Sequence, residues 1–259
     1  MVDFVLIELD CAELGVAWQV AKLPTPPAIF AVRGGARRTG DLSLTRLGVL
    51  GLIDPDGAVT PDLHRSMSVF AHAPVEVDLR FAAGRGAEVR AAVTTHEQVA
   101  VLAVVTNGHV RFSRVPADAA LPALVNVLPP VEPARGTPVS LPVAEVDAAI
   151  TRSMERGQDS DDGVIGDLTA RGMSGADAQL FVSLVGSKRL RFAEFGVTVR
   201  DRNGVRHRGS RTVQAIDMRR GRAALFTRGD YLVASPADQN TLACLVGRLR
   251  DAEFDRLSG

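Results

Sequence analysis

Residues 75–115, VEVDLRFAAGRGAEVRAAVTTHEQVAVLAVVTNGHVRFSRV, decide how the rest of the chain is read. Val75, Val77, Leu79 and Phe81 alternate with Glu76, Asp78 and Arg80. A two-residue alternation of this kind puts one set on each face of a strand. Turn signals at Ala83-Gly84-Arg85-Gly86, at Thr95-His96 and at Asn107-Gly108 divide the stretch into four strands. Short turns join antiparallel neighbours, so the expectation is a four-strand antiparallel meander.

The same order returns later in the chain. Four strands are expected from about 188 to 235, with turns at Asn203-Gly204, Arg220-Gly221 and Arg228-Gly229-Asp230. Ahead of the first meander lie a strand at about 3–9 and a helix opened by Asp10 and Glu13, a capping box. Leu14, Trp18 and Ala21 face the core from that helix, which stops before Pro24. The apolar AIFAV, a helical pattern over 41–52 and a helix opened by Thr60-Pro61 follow, the last with Leu63, Met67 and Phe70 inward. A helix at 117–127 closes the half. The proline-rich stretch at 128–137 reads as a linker.

Beyond it come a strand from Pro138 to Leu141 and a helix opened by Pro142, with Val143, Val146 and Ile150 on its apolar side. Two more helices span 163–186, the second capped by Ser174 and Asp177. The final helix is expected to start at Ser235-Pro236. Each half, 1–127 and 138–259, therefore reads strand, helices, four-strand meander, helix. The fold class is α+β, built from two quasi-symmetric halves, each a four-strand antiparallel meander flanked by helices, in one compact domain.

Composition narrows the function. The 259 residues carry 30 basic and 30 acidic side chains, and only Lys22 and Lys188 among the basic ones are lysines. A neutral chain with 5% aromatic residues lacks the charge and the stacking surfaces of a general nucleic-acid binder. Cys11 and Cys244 are too few and too distant for a disulfide framework or a zinc site, which fits a reducing cytosol. The start MVDFVLIELD has no basic leader and reads as a strand, and no run is long enough to span a bilayer.

The residues of catalysis are missing as patterns. There is no G-x-S-x-G elbow, Walker loop, H-E-x-x-H pair or dinucleotide fingerprint. Gly84-Arg85-Gly86 lies between strands, which removes a phosphate-cradle meaning. The acidic run from Asp159 to Gly163 starts like a calcium loop but has glycine at its fifth position and Ala170 at its twelfth. His64, His72, His96, His109 and His207 have no ligand spacing, and Arg228-Gly229-Asp230 reads as a hairpin turn. The expectation is a protein with no catalytic residues, no metal and no cofactor.

One segment carries unusual charge. In residues 195–213, FGVTVRDRNGVRHRGSRTV, a three-residue Arg202-Asn203-Gly204 loop sets Arg200 opposite Arg206 and Thr198 opposite Arg208. Val197 and Val199 fall on the other face. Such a face is either solvated, as edge charges usually are, or a docking surface for something acidic or polar. In either case alanine at Arg200, Arg206 and Arg208 is expected to leave stability within about 0.5 kcal/mol of the parent.

Several ordered segments together resemble the EspG family: LGLIDPDGAVTPDLHRSMSVFAHAPVEVDLRF, EQVAVLAVV, VSLPVAEVDAAI, AEFGVTVRDRNGVRHRGSRTV and RGRAALFTRGDYLVASPADQNTLACLVGRL. The family commonly has Gly-Gln-Phe-Gly where this chain has Ala193-Glu194-Phe195-Gly196. The resemblance implies a cytosolic chaperone of type VII (ESX) secretion. Such a chaperone would bind the helical tip of the PPE-type chain in a PE–PPE heterodimer and deliver it to the secretion machinery, with no nucleic acid, membrane insertion or cofactor involved. It implies partner contacts at Ala83, Gly84, Arg85 and Gly86 and at the helix junction of Arg171, Met173 and Ser174, to which the hairpin adds Arg200, Arg206 and Arg208. The competing readings are a nucleic-acid-associated regulator that uses the arginine hairpin and a degenerate small-molecule enzyme.

Overall fold

The computed structural model describes residues 6–31, 40–82, 88–96, 98–155, 161–185 and 189–258. The first half holds β1 (Leu6–Asp10), α1 (Cys11–Val20), a short 3-10 turn (Ala28–Phe30), α2 (Gly40–Val49) and α3 (Pro61–His72). Its meander is β2 (Val75–Ala82), β3 (Glu88–His96), β4 (Val99–Thr106) and β5 (His109–Pro116), followed by α4 (Ala120–Val125). The second half holds β6 (Val139–Pro142), α5 (Val143–Glu155), α6 (Asp161–Ala170) and α7 (Gly175–Val185). It continues with β7 (Arg191–Arg200), the short β8 (Arg206–Arg208), β9 (Val213–Met218), β10 (Gly221–Arg228), β11 (Tyr231–Pro236) and α8 (Gln239–Leu257).

All eleven strands join one sheet in the order β1-β5-β4-β3-β2-β7-β9-β10-β11-β6, with β8 paired to β7 beside β9. Read inward from either edge the order is the same: lone strand, last meander strand, then back to the first. Within the sheet, the halves meet where β2 and β7 run antiparallel, from Val75↔Val199 to Ala82↔Phe192. The two quasi-symmetric halves expected from the repeated element order are thus joined strand to strand.

Alternation assigns the two faces. Val77, Leu79 and Phe81 of β2 and Phe195, Val197 and Val199 of β7 point to one face, where they form a buried core with Leu124 of α4 and Leu242 and Val246 of α8. The opposite face is covered twice. Over the first half, α1, the 3-10 turn, α2 and α3 bury Trp18, Phe30, Phe70 and Phe112, whose ring centroids stand 5.5–6.0 Å apart. Over the second half, α5, α6 and α7 bury Val146, Leu168, Phe181 and Leu184 against Ile216. Between these covers, in the middle of the second face, β2 and β7 present Glu76, Asp78, Gly196 and Thr198.

Local chemistry sets most boundaries as expected. Asp10 accepts from the N–H of Ala12 and of Glu13, and the Glu13 carboxylate accepts from the Asp10 N–H, so the capping box opens α1. Two expectations need correction. The strand β11 runs through Ser235 to Pro236, and α8 begins after Asp238, whose carboxylate accepts from the Thr241 N–H at 2.7 Å. Asp238 caps the free N–H groups of the first turn better than Ser235, whose hydroxyl turns to the Pro236 carbonyl. Ile150 is not core: α5 buries Val146, Ala149 and Ser153 and leaves Ile150 and Met154 exposed.

The stretch between the halves is held to the sheet. Beyond the end of β11, the backbone of 132–134 pairs with β10 instead, through Arg222 N–H to Glu132 O and Ala134 N–H to Arg222 O, both 2.8 Å. The Arg222 guanidinium, fully buried, donates to both oxygens of Asp217 at 2.6 and 3.0 Å and to the Pro129 carbonyl at 2.9 Å. Among the described residues no helix is long and apolar enough to cross a membrane, and no group of three His, Cys, Asp or Glu side chains stands ready to hold a metal.

Candidate partner-binding surface

The hairpin of β7 and β8 is built around Asp201. Its backbone N–H donates to the Val205 carbonyl, its Oδ1 accepts from the N–H groups of Asn203 and Val205, and Oδ2 lies 2.9 Å from Nε2 of His207. These bonds hold the Asp201 carboxyl below the ordinary carboxylate range, the His207 bond foremost. Gly204 adopts φ 81, the left-handed conformation that closes a three-residue loop. The resulting register sets Arg200 opposite Arg206 and Thr198 opposite Arg208, as the turn chemistry requires.

The arginines are not bare. Arg206 pairs with Glu76 at 2.7 Å, and Arg208 pairs with Asp78. Arg200 donates through Nη1 to the Gly204 carbonyl and through Nη2 to the Ala71 carbonyl in the last turn of α3, a carbonyl that helix geometry leaves open. Glu76 and Asp78 lie on β2, with exposures of only 7% and 3%. This overturns the expectation that like-charged arginines merely share a solvated face. Arg206 and Arg208 are neutralised by carboxylates of the other half of the protein, and Arg200 is hydrogen-bonded to a backbone carbonyl of that half.

Gly196 makes the longer of these reaches available. Arg208 sits on β8, and Asp78 lies beyond β7 on β2, so the guanidinium has to cross β7 at the position of Gly196. A Cβ built on Gly196 would clash with the Arg208 guanidinium. Burial pushes the Glu76 carboxyl upward, against the pull of Arg206, and lowers the guanidinium pKa of Arg208 and Arg200. Donors remain: Arg206 Nη1 and Arg200 Nε are buried and have no hydrogen-bond partner.

At the junction of α6 and α7, Gly172 takes φ 87, and the Met173 N–H returns to the Leu168 carbonyl, which terminates α6. The Ser174 hydroxyl accepts from the Asp177 N–H and donates to its carboxylate, opening α7. Arg171 pairs with Glu145 in the first turn of α5, while Met173 leans on the core beneath the three helices. All three residues therefore hold the junction in one shape. Further along α5, about one and a half and two and a half turns beyond Glu145, Ile150 and Met154 leave apolar side chains in solvent.

Ala83, Gly84, Arg85 and Gly86 lie outside the described residues, though Ala82 and Glu88, which flank them, are directly paired. Ala82 and Glu88 themselves stand at the end of the sheet where β7 begins. Arg200, Arg206 and Arg208 lie at the opposite end, where β7 finishes. Glu145 and Arg171 share that second end, because α5 starts where β6 stops. Among the described residues the hairpin arginines and the Glu145–Arg171 pair thus stand at the same end of the sheet, with β9, β10 and β11 between β7 and β6. Sequence reasoning missed Glu76, Asp78 and Gly196. The signal for the first two was their place on the polar side of an alternating strand.

Comparison with known proteins agrees with this architecture. The model of the EspG family matches residues 10–248. Among solved structures, the Mycobacterium tuberculosis type VII secretion system chaperone EspG5, in complex with a PE25-PPE41 dimer, superposes with a TM-score of 0.76 at 18% identity. The match covers 95% of this chain and 96% of that one. No curated protein matches the sequence.

Proposed function

The chain belongs to the EspG family, and from that premise we propose that it is a cytosolic chaperone that binds the PPE-type chain of a PE–PPE heterodimer and delivers the pair to a type VII secretion system. The observation that carries the reading is the end-to-end correspondence with EspG5, a chaperone seen with such a dimer bound. The role needs no catalytic step and no cofactor. It needs a fixed surface that holds an apolar helical tip reversibly, and an interface of about 1,600 Å² does that without dictating tight affinity.

The cargo surface proposed here is the end of the sheet shared by Arg171, Met173 and Ser174 with Arg200, Arg206 and Arg208. Exposed Ile150 and Met154, further along α5, extend it with apolar contact, and the Arg208 side chain, 42% exposed, suits helix-end carbonyls and acidic caps. Ala83, Gly84, Arg85 and Gly86 are a second proposed contact. The halves 1–127 and 138–259, with 128–137 between them, are proposed to act as one unit. A nucleic-acid role is less favoured, since phosphates would compete for arginines already bound to Glu76 and Asp78.

Isothermal titration with a purified PE–PPE heterodimer tests the reading. Ile150→Asp with Met154→Asp is expected to weaken binding at least about tenfold, roughly 1.4 kcal/mol, with the urea midpoint unchanged. Absence of binding by the parent to every PE–PPE heterodimer of its own source organism would overturn the function. Parent-like binding by the variant would overturn the placement of the site.

A further inference from the structure

The hairpin of β9 and β10 ends in a two-residue loop whose residues are Arg219 and Arg220, with Met218 and Gly221 paired behind them. The loop forms one wall of a notch of about 760 Å³. The connection at 131–135, including Arg135, forms another, and Ser183 of α7 and Met218 also line it. Arg135, Arg219 and Arg220 are exposed, and none has an ion pair or side-chain hydrogen bond among the described residues. Glu132 is the one acidic residue on the lining. Asp161 and Asp162 of α6 line the adjoining cavity with Arg219 and Arg220 but are not paired with them, unlike the carboxylates that hold the β8 arginines.

The walls are preorganised. The backbone of 132–134 is bonded to Arg222, whose guanidinium is buried and clamped by Asp217 and Pro129. Gly221 lets the two backbones meet: a Cβ there would lie 2.7–2.8 Å from Glu132 O, Pro133 O and Ala134 N. A rigid concavity with three unpaired guanidinium groups and the Met218 side chain in its lining is complementary to carboxylates carried on a partly apolar chain. Arginine forks favour planar carboxylates, and a fixed frame limits the ordering lost on binding.

We infer that this notch is a docking surface for a short acidic segment of a partner protein, at the opposite end of the strands from Arg200, Arg206 and Arg208. The inference does not rest on the cargo reading, and its test contains no PE–PPE heterodimer. The probe is a fluorescein-labelled peptide of four Glu-Leu-Asp repeats, followed by anisotropy on the full chain, with a peptide of Lys-Leu-Arg repeats as control. The acidic peptide is expected to bind and the basic one not to. The combined variant Arg135→Ala, Arg219→Ala, Arg220→Ala should bind the acidic peptide at least tenfold more weakly, with an unchanged urea midpoint. Arg202→Ala, in the exposed loop of the other hairpin, should bind as the parent does. The inference is overturned if the parent does not bind the acidic peptide, or if the triple variant binds it as the parent does. It is also overturned if a twelve-residue oligothymidine displaces the peptide as well as unlabelled peptide does, which would mark a general anion surface.

Discussion

Replacing Arg208 by alanine removes the cation that reaches across β7 to Asp78, and the consequence for stability can be worked out from burial. Asp78 is 3% exposed, so its carboxylate loses both its partner and any ready access to water. Removing one member of a buried pair costs about 3–5 kcal/mol. The Arg208 side chain is itself 42% exposed, so solvent screens the pair from one side, and the expected loss falls to about 1–3 kcal/mol. A reading based on the hairpin alone expects a change within about 0.5 kcal/mol, or a gain from relieved repulsion. Urea unfolding followed through Trp18, the single tryptophan, separates the two. Asp78→Ala combined with Arg208→Ala should recover much of the loss, giving a coupling of about 1 kcal/mol or more. Gly196→Ala should resemble Arg208→Ala, because its methyl group takes the place of the guanidinium. An Arg208→Ala protein as stable as the parent, with no coupling to Asp78, would refute the account.

Gly221→Ala should destabilise by at least about 2 kcal/mol, since φ 116 is strained for alanine and the methyl group would meet backbone atoms that cannot swing aside; thermal unfolding of the purified variant checks this. Asp238→Ala should cost about 1 kcal/mol through loss of the α8 cap. The Thr241 N–H bond depresses the Asp238 carboxyl, so its contribution is complete above the ordinary aspartate value and is lost as pH falls through the lowered folded value. Urea midpoints measured from pH 7 down to pH 3 should therefore converge for parent and variant, while Asp238→Asn, which keeps a side-chain acceptor, should stay closer to the parent at pH 7.

What sequence could and could not disclose follows from the range of each interaction. The register of the β7 and β8 hairpin was legible because a three-residue loop ending in glycine admits one pairing, and the meanders were legible because alternation and turns are local. The partners of Arg206 and Arg208 were not. Glu76 and Asp78 are separated from them by 130 residues each, and the pairing depends on β2 lying beside β7 and on one glycine between. The start of α8 was misread for a local reason: Ser235-Pro236 has the chemistry of a helix opening, yet pairing with Ala223 and Ala224 keeps it in the sheet. In the candidate site, the helix-junction residues came from family resemblance, and the exposed Ile150 and Met154 could not have been told from core residues by spacing alone.

The single β2–β7 seam has a consequence for biogenesis. A ribosome completes β2 more than a hundred residues before β7 emerges, an interval of roughly ten seconds at ordinary elongation rates. During that time the nascent first half exposes β2 as a free edge beside its finished neighbour β3. Glu76, Asp78 and Arg80, alternating along that edge, are the kind of charges that discourage one nascent chain from zipping onto another. The same carboxylates later receive Arg206 and Arg208, so residues that guard the unfinished sheet become the fastening of the finished one.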